Sequence, residues 1–228
     1  MKKNVFLGFL VIVLAVGFFG CDLINNPDDN PVNNPDDEDD KPGNPYLGST
    51  LSFNEQVYYE TENYTIAAYT GADLSVKEWR DIDGTANITG GKLKLSIGTP
   101  SPLSPIAGIF EDVGFGSWQK DIEYSTTDVQ AAELYDGELN KPSEFTWLEK
   151  RRDTDSAFEH VSYIFVSKDV TVTAKGKVDV DDNVTSTDVT LKLKSGWNVL
   201  YFKMSFSNSG AIASYSLSNP GNLCWMLY

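Results

Sequence analysis

The chain has 228 residues, a formal net charge of -15, 12% aromatic residues and 18 glycines. So acidic a chain repels phosphate backbones, which excludes nucleic acid as a natural partner. One histidine, His160, and two cysteines, Cys21 and Cys224, cannot supply the three or four N or S ligands of a zinc site, and no CxxC or Cys/His pair points to a metal, a redox centre or another cofactor.

Lys2 and Lys3 form a short positive start, and Val5 to Gly20 is an uncharged apolar run of 16 residues. A helix needs roughly 20 apolar residues to cross the hydrocarbon core. The run therefore fits the apolar part of a signal peptide, expected to cover residues 1–20. Residues 22–45 carry eight acids against one base, Lys41, with five prolines and a near-repeat of NNPDD. Almost nothing there can be buried, and proline and like charges extend the chain. With the cysteine before it, this stretch (21–45) is expected to be a disordered acidic tether. Its aspartates match no calcium-loop spacing, so a solvated spacer is the reading.

Residues 46–228 read as one domain. Leu51, Phe53, Val57 and Tyr59 open the apolar pattern. After Gly90-Gly91, Leu93, Leu95 and Ile97 alternate with Lys92, Lys94 and Ser96, as in a half-buried strand. Pro100, Pro102 and Pro105 mark a loop. Thr127–Tyr135 and Ser156–His160 are the helix candidates. HVSYIFV, apolar on both faces, reads as a central strand. Val170, Val172 and Ala174 then alternate, and Asp181-Asp182-Asn183 forms a hairpin tip, since Asp and Asn tolerate positive φ. Val189, Leu191 and Leu193 follow, with Ser195-Gly196 as a tight hairpin into a strand whose Leu200, Phe202, Met204 and Phe206 share a face. Asn219-Pro220-Gly221-Asn222 turns into LCWMLY, the strand that closes the core. About ten strands at such spacing predict an all-β fold, an antiparallel β-sandwich of immunoglobulin-like or jelly-roll type with one or two short helices; a barrel is the alternative.

Val16-Gly17-Phe18-Phe19-Gly20-Cys21 resembles a bacterial lipobox, with the small Gly20 in place and with Phe18 and Phe19 where that family usually has Leu and a small residue. The resemblance implies that Cys21 becomes the first mature residue and carries a diacylglyceryl thioether and an N-acyl chain. Two or three acyl chains hold a protein on a bilayer where one would not. Membrane lipid is then a partner, and the expected place is the cell envelope, at the outer membrane or cell surface ahead of the inner membrane. The stretches GKLKLSIGTP, YIFVSKDVTVTAKGK and LKLKSGWNVLYF, with Trp225, are similar to small β-rich lipoproteins of diderm bacteria that have no assigned activity. If Cys21 is acylated, an intramolecular disulfide is excluded, and Cys224 reads as a small buried hydrophobe.

For chemistry, His160 is expected to be an ordinary surface residue, and no GxSxG is present. Glu144, Glu149 and Glu159 lie near Trp147, the kind of setting a glycoside hydrolase uses, but any acidic β-protein offers such pairs. Trp197 and Trp225 fall in core patterns. Trp79, Trp118 and Trp147 lie in polar or Gly-rich surroundings, and with Arg151 they are the candidate ligand-binding residues. Lys150-Arg151-Arg152, the one basic cluster, reads as a solvated loop that could otherwise meet a carboxylate or an anionic glycan. The expected function is a non-enzymatic interaction or structural role in the envelope, with a protein or glycan partner. A carbohydrate-binding module is the alternative, and a hydrolase the third reading.

Overall fold

The computed structural model describes residues 45–62, 65–79, 85–111, 115–140, 145–179, 183–221 and 223–228. The signal peptide, Cys21 and the tether up to residue 44 lie outside the described residues. In chain order the strands are β1 (Tyr46–Gly48), β2 (Leu51–Glu60), β3 (Ile66–Ala68), β4 (Leu74–Trp79), β5 (Ala86–Thr89), β6 (Lys92–Ile97) and β7 (Ser104–Pro105). Two short helices follow, α1 (Ile106–Phe110) and α2 (Phe115–Trp118). Then come β8 (Gln119–Tyr124), β9 (Gln130–Leu134), β10 (Asp136–Leu139), β11 (Trp147–Thr154), β12 (Ala157–Val166), β13 (Val170–Gly176) and β14 (Val178–Asp179). The chain finishes with β15 (Val184–Ser186), β16 (Val189–Leu193), β17 (Gly196–Ser207), β18 (Gly210–Ser216) and β19 (Cys224–Leu227).

The all-β expectation holds, but the sandwich does not. Strands β10, β4, β5, β6, β2, β19 and β11 pair in that order, and β10 pairs back onto β11, so seven strands close into a barrel. Strand alternation is the same in a sandwich and a barrel; closure depends on which distant edges meet, and here β19 joins β2 in parallel and β11 antiparallel. The barrel interior is packed with side chains, among them Leu51, Val57, Val76, Trp79, Leu148, Trp225 and Leu227. The rings of Trp79 and Trp225 meet edge to face at 6.1 Å. Gly137 of β10 makes room for this filling, since a Cβ there would sit 2.7 Å from Val76 Cγ1 and 3.0 Å from the Trp79 ring.

β12 carries the sheet out of the barrel. It pairs β11 over its first residues, β9 over its last, and β17 along its whole length. As the sequence suggested, it is buried on both faces: Val161, Tyr163 and Phe165 join the barrel core, while Ile164 and Val166 join a second core. That second core is covered by α1 and by a separate sheet ordered β16-β13-β8.

β13–β14 and β15–β16 form one long hairpin. Val170 faces Leu193, Ala174 faces Val189, Val178 faces Thr185 and Asp179 faces Val184, a single register from root to tip. The predicted tip is consistent with this, with Asn183 at φ 55°, although Asp181 and Asp182 lie outside the described residues. The hairpin bends at Gly176, where a Cβ would lie 1.9 Å from the Ser186 carbonyl oxygen. Its root lies in the small sheet, and its tip joins the large sheet through the parallel β15–β18 pair.

Three local expectations fail. Thr127–Tyr135 is not a helix; β9 runs through it and is buried on both faces, Ala131 in the second core with Val129 just before the strand, Ala132 and Leu134 in the first. That double burial mimics helical spacing. Ser156–His160 is not helical either: a turn at Asp155-Ser156 leads into β12. Ser195-Gly196 is not a hairpin, because β16 pairs β13 and β17 pairs β12, so the link passes between sheets. The two real helices lie beyond the proline-rich loop, with Pro105 at the N-cap of α1.

Candidate functional site

The tryptophans chosen from the sequence do not gather. Trp79 is 1% exposed inside the barrel, so its indole faces cannot stack on a ligand. Trp118 is half-buried against a third small core of Val184, Phe202 and Ala213. Trp147 is 44% exposed on the outside of β11, and Arg151 lies four residues further along the same face. Trp197 and Trp225 are fully buried, as expected.

What the fold does assemble is a charged cluster around Lys150-Arg151-Arg152. This triplet is strand, not a solvated loop, and alternation sends its side chains to opposite faces. On the outer face the Arg151 guanidinium lies 4.1 Å from the Tyr228 ring centroid and 5.4 Å from that of Phe158. It pairs with Asp153 and, at 3.4 Å, with Glu149, which also accepts a 2.9 Å bond from the Tyr135 hydroxyl. Arg151 thus satisfies carboxylates of its own chain. His160 sits beside it, 4.8 Å from the rings of both Tyr135 and Phe202. Burial, then the Arg151 charge, pushes the imidazole pKa down to about 3. The surface-residue expectation is corrected: this is an enclosed, neutral imidazole.

The inward face is the richer one. Lys150 Nζ donates to Glu55 Oε2 at 2.6 Å and lies about 6 Å above the rings of Phe53 (6.0 Å) and Trp225 (5.9 Å). Next along β11, Arg152 directs Nε at 2.8 Å, and also Nη2, to Glu159 Oε2. From the other side Lys203 Nζ approaches Glu159 Oε1 at 3.0 Å. That contact is charge pairing without hydrogen-bond alignment, because Oε1 has no hydrogen-bond partner. Glu159 is 2% exposed, whereas the Lys203 side chain is 45% exposed. Arg152, Glu159 and Lys203 stand directly opposite one another across β11, β12 and β17. Tyr163 and Tyr201 lie close by, and burial raises the pKa of both hydroxyls.

The cluster sits at a seam. β2 pairs β6 over Leu51–Gln56, but β19 joins its other edge only from Val57 onward. β11 loses β19 beyond Arg151. At the edge of that gap the Lys150–Glu55 ion pair links β11 to β2.

Glu149 and Glu159 belong to opposite faces, one held by Tyr135 and Arg151, the other by Arg152 and Lys203. They do not flank one substrate, and Glu144 lies outside the described residues. Sequence reasoning missed Glu55, Lys203 and Tyr201. Nothing local marks Glu55 as the partner of a lysine 95 positions away. Reading LEKRRDT as alternating strand would have separated Arg151 from Lys150 and Arg152.

Cys224 is buried, as expected, but it is disulfide-bonded rather than a free thiol. Among the described residues, no group of three His, Cys, Asp or Glu side chains is placed to hold a metal, and no helix is long and apolar enough to cross a membrane. No protein-family model matches the chain, and comparison with curated proteins and with solved structures gives no match.

Proposed function

We propose that this chain is a lipid-anchored envelope protein whose β-barrel domain serves a binding or structural role outside the cytoplasm. The observation that carries the reading is the run from Val5 to Cys21: 16 uncharged apolar residues, a small Gly20, then a cysteine, followed at once by the acidic proline-rich stretch. The run suits export better than a span. The stretch from 22 to 44 is long enough, at roughly 3 Å per residue, to hold a domain several tens of ångströms from a bilayer.

Cys21 has one sulfur, and acylation competes with a disulfide to Cys224. Intact-mass measurement of the chain purified from a diderm bacterium decides between them. The expected product begins at Cys21, carries acyl mass and partitions into detergent, and Cys21→Ser abolishes both. A chain two hydrogen atoms lighter than its reduced form, or an unmodified thiol at position 21 with aqueous partitioning, overturns the proposal.

A further inference from the structure

We propose that Arg152 and Lys203, with Tyr201 beside them, form a binding site for the acidic group of an anionic sugar. The protein's own Glu159 carboxylate shows that the two cationic heads are spaced for an oxyanion: Oε2 takes the Arg152 fork and Oε1 meets Lys203. Neither cation is exhausted. Among the described residues, Arg152 commits only Nε and Nη2, and Lys203 Nζ is engaged only by Glu159. Among the described residues, the paired charges on this face are Glu55 from β2, Lys150 and Arg152 from β11, Glu159 from β12 and Lys203 from β17. Three positive against two negative leaves one surplus cation in a chain with 33 acids and 18 bases. This face is thus less repellent to anions than the acidic chain as a whole. Arg152 presents a planar fork that matches carboxylate or phosphate oxygens, and Lys203 adds a mobile point charge that reaches solvent. Tyr201, directly across from Val161 and half-buried, offers a ring edge and a hydroxyl for the sugar body. The site holds whether or not Cys21 is acylated.

Calorimetric titration of the full chain with galacturonate, glucose 6-phosphate and neutral galactose tests this. One or both acidic sugars are expected to bind, more weakly as salt rises, and galactose is not; which acid binds identifies carboxylate or phosphate as the natural group. Lys203→Met should weaken binding about tenfold, the worth of one hydrogen bond to a charged group. Lys194→Met, a cation exposed elsewhere, should leave it unchanged. Glu159→Gln, which frees Lys203, should tighten binding in whatever fraction remains folded. Equal binding of galactose, no binding of either acid, or acid binding indifferent to Lys203→Met refutes the site and leaves the cluster as a structural clamp.

Discussion

The barrel and the long hairpin are both antiparallel-rich β-structure, yet they are built on opposite terms. The hairpin from Val170 to Leu193 is local: each pair is closed by the pair before it, and one register runs through both sheets. The barrel is non-local. β19 must find β2, whose residues Val57 to Tyr59 lie far back in the chain, and only then do the interior rings close on each other. Local pairing costs little loop entropy, whereas closure between distant segments costs more before any contact rewards it. The hairpin therefore depends on backbone fit at a few positions, and the barrel on bulk at its centre.

The sharpest way to break that contrast is Trp225→Ala. The ring is fully buried and touches Phe53, Trp79 and Tyr163. Removing a core Trp should cost about 4 kcal/mol, read as a fall in the urea midpoint. A loss below about 1 kcal/mol would show that the barrel is not organised around this ring. Gly176→Ala probes the hairpin instead. The added methyl meets backbone, not a yielding side chain, and should cost about 2 kcal/mol as overpacking does. If stability is unchanged, the bend is not set by close approach.

The third probe lies between the two regions. His160 binds its proton near pH 3 when folded and near its ordinary 6.5 when unfolded. The folded state therefore holds fewer protons than the unfolded state between those values. The stability it contributes is complete above pH 6.5 and is lost as pH falls towards 3, at up to about 1.4 kcal/mol per pH unit. His160→Phe should flatten that part of the acid unfolding curve, and an unaltered slope would mean that the imidazole is hydrated.

These differences explain what the sequence could show. The hairpin was legible because its tip residues and its alternating arms are neighbours, and β12 because Val161 and Tyr163 to Val166 put apolar residues on both faces of one short run, as a strand covered on both sides does. Closure was not legible, since LCWMLY announces a buried strand without saying which edges it joins. β9 misled because it and the residue before it divide between two cores, Val129 and Ala131 against Ala132 and Leu134, which leaves the same spacing as a helix turn. The cluster at the seam was half legible: the basic triplet stood out, but its carboxylates come from positions 55 and 159 and its third cation from position 203, brought together only by the sheet.

Synthesis runs from residue 1 onward, and strand β19 is made after every other wall of the barrel. Until residues 224–227 leave the ribosome, β2 and β11 have no strand between them, and the nascent chain cannot complete its cylinder. Until then the chain presents two unpaired strand edges and uncovered aromatic rings, the features that invite pairing with another copy.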